Sequence, residues 1–189
     1  AAWVIAKREV FSFFVSPFAY VVLASWLLYN GLVYAILAML AANQPTGGAS
    51  ESSILAQFFG STVLFYIALL AFVPLLTMRL LAEETARGTL EPLLTAPLDE
   101  VSLVLGKLAA AMVFWIMLWV PTLLYVWITS HHGDVDGGVV AATYLGVFSK
   151  GVFFMSLGLL ASALARSQIT AAVLSFMILG GVFVLGPVS

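Results

Sequence analysis

The sequence predicts an all-α fold, a polytopic bundle of transmembrane helices, and three observations carry that prediction. Of the 189 residues, 63% are hydrophobic and only 8% are charged, against about half and about a quarter in soluble domains. Five apolar stretches are long enough to cross a bilayer core about 30 Å thick, which takes roughly 20 residues of helix. Each stretch is continuous, whereas the strands of a membrane barrel would come as alternating segments of about 10 residues. The net charge of -2 leaves no basic surface for nucleic acid, and the lack of Cys removes disulfides and thiolate chemistry.

The elements follow in order within a single domain, residues 1–189. Residues 1–16 are too polar to span. As a helix they set Lys7, Arg8, Glu9 and Ser12 on one side and Trp3, Ala6, Val10, Phe13 and Phe14 on the other. That sidedness suits a helix lying in the membrane interface, cations toward headgroups and aromatics toward acyl chains. The competing reading is the plain end of the first span. The spans are 18–40, 54–76, 108–128, 139–164 and 169–188. Pro74 and Pro121 are expected to kink their helices. Gly151, Gly158 and Ser162 give the fourth span a small-residue face for close packing.

Orientation follows from the cations. Lys7, Arg8, Arg79, Arg87, Lys107 and Arg166 fall on one side, and the loops 41–53 and 129–138 hold none. The N-terminus is therefore expected in the cytoplasm. Five spans would leave the C-terminus outside, so a sixth span is expected in the parent protein.

The segment 78–100 holds five of the nine acidic residues and two of the seven basic ones. Its start is expected to prolong the second span as a helix into water, ended by Gly88. Thr89 then caps a short helix with Glu91 in its first turn. Pro92 is tolerated that early because its missing N–H is not needed. This helix presents Leu90, Leu93 and Leu94. An apolar cluster rimmed by charge reads as a docking surface, and equally as leucines folded back on the membrane.

At this loop the chain resembles the ABC-2 type permease family, the membrane subunits of one class of ATP-binding-cassette exporters. The resemblance rests on Lys7-Arg8-Glu9, Ser16-Pro17-Phe18-Ala19-Tyr20, Pro74 to Arg79, Glu83-Glu84, Gly88-Thr89-Leu90-Glu91, Leu93-Leu94-Thr95-Ala96-Pro97 and Gly106-Lys107. Within the family the wording is most similar to the gliding-motility-associated permease subgroup. The resemblance covers nearly the whole chain. It implies six helices per subunit and a second permease subunit, identical or different, in a bacterial inner membrane. It also implies separate cytoplasmic ATPase subunits carrying ATP and Mg, so this chain would bind no cofactor directly and would be no enzyme. The loop helix would then dock into the ATPase as a coupling helix, with Glu83, Glu84, Arg87, Gly88, Thr89, Leu90, Glu91, Leu93, Leu94, Thr95 and Pro97 as coupling residues. Two departures stand out: five spans in place of six, and Pro92 where a leucine-like residue is expected.

No phosphate loop is present. Before Gly106-Lys107 the position needing Gly holds Val101, and Leu108 stands where Ser or Thr belongs. Lys107 therefore reads as a membrane-edge lysine. Lys150, midway along the fourth span, reads either as a residue of the translocation path or as an ammonium that snorkels or pairs inside the bundle. His131, His132, Asp134 and Asp136 suit a metal by type, but their glycine-rich loop favours a solvated turn, so no metal site is expected. The sequence thus points to an exporter permease. The alternative is a non-transporting membrane anchor or assembly module of a motility or secretion machine. An intramembrane enzyme lacks a paired acid, His or nucleophile.

Overall fold

The computed structural model describes residues 2–42, 57–61, 63–88, 100–131 and 136–185, and every regular element among them is a helix. Helix α1 (Ala2–Val15) and α2 (Pro17–Ala42) meet at a turn on Ser16. A π-helical turn (Gln57–Ser61) precedes α3 (Val63–Thr77), and α4 (Ala82–Arg87) is one short helix beyond it. Helix α5 (Glu100–Trp119), a 3-10 turn (Val120–Thr122) and α6 (Leu123–Ser130) form one long unit. Helices α7 (Gly137–Leu164) and α8 (Gln168–Leu185) close the order.

Among the described residues four units are long and apolar enough to cross a membrane: Pro17–Leu40, Gln57–Thr77, Val101–Ser130 and Gly137–Leu164. Helix α8, with 18 residues, is about 27 Å long at the helical rise and forms a shorter apolar candidate. The protein is therefore a multi-pass membrane protein with four to five span-length helices. Exposed Tyr20, Leu28, Leu32, Phe153 and Met177 cover its outside, as suits a molecule whose lateral solvent is lipid.

Local chemistry explains the breaks. Pro17 opens α2, where its missing N–H costs nothing. Pro121 sits in the 3-10 turn, and Thr122 Oγ1 donates to the Trp119 carbonyl at 2.6 Å. The expected kink is thus a short change of helix type. Pro74 behaves differently, because α3 runs through it to Thr77 and the chain turns only at 78–81.

That turn corrects the expectation of a helix continuing into water. Leu80, Leu81 and Ala82 are buried. The buried Ser162 hydroxyl on α7 accepts the N–H groups of Leu81 and Ala82 at 3.1 and 3.0 Å. A donor pair that would otherwise be orphaned at the start of α4 is thereby satisfied by the bundle itself. The chain is drawn sideways onto α7 instead of onward into solvent. Helix α5 begins at Glu100, ahead of the apolar run that starts at Leu108.

Helix α1 lies along α5, which packs in turn on α7; α3, α7 and α8 pack on one another. Trp26 lies edge-on to Phe72 and Trp119, with centroids 4.9 and 5.1 Å apart. The small-residue face of α7 works as expected. A Cβ on Gly151 would lie 2.2 Å from Trp115 Nε1, and one on Gly158 would lie 2.4 Å from Thr77 Oγ1. These glycines let α5 and α3 approach α7 at backbone distance. Tyr34, stacked on Tyr125 at 4.9 Å and 2.8 Å from Thr129 Oγ1, ties α2 to α6.

Gly151→Ala should destabilise the detergent-solubilised protein by about 1–3 kcal/mol, the usual cost of overpacking. Gly146→Ala on the same helix meets nothing within 4 Å and should leave the melting temperature unchanged. Equal melting temperatures for the two variants would contradict this packing.

Candidate functional site at a buried charge junction

The strongest electrostatic feature lies where α1, α4 and α5 meet. Lys107 on α5 is 1% exposed, and its ammonium lies 3.2 Å from Glu9 Oε1 on α1 and 2.9 Å from Glu84 Oε1 on α4. The two carboxylates keep about a fifth of their surface in contact with solvent. Lys107 is therefore no membrane-edge lysine. It is a desolvated cation whose charge is answered from two other helices. Removing one partner of such a buried group costs about 3–5 kcal/mol, because a charge is left uncompensated. Partial exposure of the glutamates places this junction toward the lower end.

A second cation grips the elbow between α1 and α2. The Arg79 guanidinium sits 4.3 Å from the Phe18 ring centroid and donates to Ser16 Oγ at 3.3 Å. The elbow is closed by backbone bonds from the Ser16 and Ala19 N–H groups to the Phe13 and Ser16 carbonyls. Phe13 then stacks on Phe114 of α5 and Phe14 lies tilted to it, with centroids 5.4 and 6.0 Å apart. Next to this elbow opens a cleft of about 630 Å³ whose polar lining includes Arg8, Glu9, Ser12, Ser16, Arg79 and Glu83.

Gly88 ends α4 as the sequence indicated, with φ 68° and its N–H bonded to the Glu84 and Thr85 carbonyls. The left-handed conformation there favours glycine. Glu83 and Glu84 occupy the first turn of α4, where carboxylates are favourable toward the helix dipole. Arg87 is its last residue. Thr89, Leu90, Glu91, Leu93, Leu94, Thr95 and Pro97 lie outside the described residues. The segment that contains them leaves from Gly88 and is taken up again at Glu100. Its two anchoring helices, α4 and α5, are the pair that the Glu84–Lys107 contact joins.

Helix α1 exists over Ala2–Val15, but its charges divide. Lys7 and Arg8 are exposed, whereas Glu9 turns inward to Lys107. Trp3 and Phe11 are 78% and 71% exposed, so they face away from the bundle.

Lys150 stands apart from this junction. It lies midway along the 28-residue α7, about 20 Å from either end, farther than a four-carbon stem can carry an ammonium to water. It is half-buried, and its ammonium lies 5.0 and 5.5 Å from the Phe65 and Tyr66 ring centroids. A lysine at the centre of a membrane helix costs about 2.5–3.5 kcal/mol. A ring face returns about 0.5–2 kcal/mol, so the rings offset only part of that cost.

At the opposite end His131 packs on Trp127 with centroids 4.4 Å apart, and Asp136 caps α7 by accepting the Gly138 N–H at 2.8 Å. Both side chains have local structural work. His132 and Asp134 lie outside the described residues.

Sequence reasoning missed the inward role of Glu9, the burial of Lys107 and the capping by Ser162. The available signal was the rarity of charge in so apolar a chain, since each isolated Glu or Lys beside a span calls for a partner. A family model described as ABC-2 family transporter protein matches residues 18–188. No curated protein and no solved structure matches the chain.

Lys107→Met should lower the thermal midpoint of the purified protein by the equivalent of about 3 kcal/mol. Adding Glu9→Gln and Glu84→Gln should recover most of that loss, because no carboxylate then lacks its cation. A triple variant no more stable than Lys107→Met would contradict the charge-balance account.

Proposed function

We propose a permease function for this chain, which belongs to the ABC-2 family of transporter proteins. In this reading it is the membrane subunit of an ATP-binding-cassette exporter. It forms a translocation pathway with a second permease subunit and is driven by separate cytoplasmic ATPase subunits, which hold ATP and Mg. The chain itself performs no hydrolysis. The clustering of Arg79 and Lys107 with α1 supports assigning this end of the bundle to the cytoplasm of a bacterial inner membrane. The wording of Lys7-Arg8-Glu9 and of Gly88-Thr89-Leu90-Glu91 supports the gliding-motility-associated subgroup.

The observation that carries the coupling assignment is the Lys107 junction. Leu90, Leu93 and Leu94 would enter the ATPase, flanked by Glu91, Thr95 and Pro97. A displacement of that segment is felt at α4 and α5 together, because Glu84 and Lys107 tie them. Glu9 passes the same displacement to α1. Helix α5 bears on α7 through Trp115 and Gly151, so a shift at the junction reaches the helix that carries Lys150. The exposed Trp3 and Phe11 of α1 suit acyl chains, and Lys7 and Arg8 suit headgroups, which supports an interfacial position for α1. Lys150, incompletely neutralised within the span, is the residue we assign to the translocation path.

A complex purified under mild conditions should contain a cytoplasmic ATPase, and Leu93→Asp with Leu94→Asp should reduce its recovery severalfold while the membrane subunit stays folded. Undiminished recovery of the ATPase would remove the docking assignment. Absence of any ATPase would favour a non-transporting membrane anchor.

A further inference from the structure

The two lysines within the apolar units are treated in opposite ways. Lys107 receives two carboxylates. Lys150, deeper in its helix, is met among the described residues only by the faces of Phe65 and Tyr66. Ring faces orient an ammonium but carry no net negative charge. The shortfall is a single anion.

The backbone next to Lys150 leaves room for one. On a helix the side chain leans over the turn on its N-terminal side, which here contains Gly146, four residues earlier. Gly146 is exposed, and a Cβ built on it would meet nothing within 4 Å. A notch without side chain therefore lies one helical turn before Lys150. On the same side of the helix the surface continues through Phe153, which is 52% exposed and apolar.

We propose that Lys150 and the notch at Gly146 form a mid-membrane site for the anionic group of an amphiphile. The group is sulfate-, phosphate- or carboxylate-like, and its chain lies along the apolar surface beside Phe153. The attraction within such an ion pair grows as the local dielectric falls, and it is set against the cost of desolvating the anion. Phe65 and Tyr66 hold the ammonium in place and leave its remaining donors to the ligand. Under the permease reading this amphiphile is the cargo; the binding site itself does not rest on that reading.

The test uses the full chain in nanodiscs of zwitterionic phosphatidylcholine. The probes are an alkyl sulfate brominated beside its headgroup and the matching uncharged bromoalcohol. Bromine quenches indole fluorescence at short range, and Trp115 packs against Gly151, the residue after Lys150. The sulfate should quench saturably above the background set by partition into the bilayer, and the alcohol should give background alone. Lys150→Gln and Gly146→Leu should each weaken half-saturation by about tenfold or more, the size expected for losing a charged contact. Lys150→Arg should retain binding. Gly146→Leu lies in open space, so its loss of binding does not depend on a disturbed fold. Equal quenching by sulfate and alcohol, or a sulfate response untouched by both Lys150→Gln and Gly146→Leu, overturns the site. If phosphatidylglycerol abolishes the saturable phase, the site stands with a bilayer lipid as occupant. If the phase persists, the occupant is an amphiphile from outside the bulk bilayer. A saturable response from a protein that purifies without any ATPase keeps the site and removes the permease reading.

Discussion

The Lys107 ammonium is the constraint on which the cytoplasm-assigned end of the bundle depends. It is buried on α5 and compensated by Glu9 on α1 and Glu84 on α4. If α1 or α4 left, the buried Lys107 would lose one of its two carboxylates, and only the loss of both would leave its charge uncompensated. Two neighbouring devices reinforce it. Arg79 holds the α1–α2 elbow through Ser16 and Phe18, and Ser162 holds the start of α4 from α7. Polar groups thus do here what apolar contact cannot do inside lipid, where burying one more leucine gains little over leaving it in acyl chains.

The rest of the bundle is assembled by shape. Gly151 and Gly158 admit Trp115 and Thr77 to the surface of α7, and the Trp26, Phe72 and Trp119 rings fill the space between α2, α3 and α5. A core packed at this closeness moves in rigid pieces rather than by continuous deformation. The two lysines within the apolar units differ: Lys107 meets two carboxylates, and among the described residues Lys150 meets the faces of Phe65 and Tyr66.

Much of this was legible in the residues. The span-length helices followed from long apolar runs, Gly88 from the position of a lone glycine after a polar helical segment, and the close-packing face from Gly151, Gly158 and Ser162. The path of residues 78–82 was not legible. Met78 to Leu81 read equally well as helix, and the turn appears because a hydroxyl on α7 accepts the Leu81 and Ala82 N–H groups. The division of α1 was hidden for the same reason: Glu9 follows Lys7 and Arg8 directly in sequence, and only the fold brings it a cation from another helix.

The sequence by itself determined that the protein lives in lipid, that it crosses the bilayer more than once, and that charge is confined to few places. Those properties are sums over local composition, and they hold whatever the packing. Only the tertiary structure decided which charges meet. Glu9 and Lys107 are 98 positions apart in the chain. Their attraction exists only once α1 has folded back along α5 and removed the water between them, because Coulomb energy depends on distance and dielectric, and neither is a property of sequence spacing.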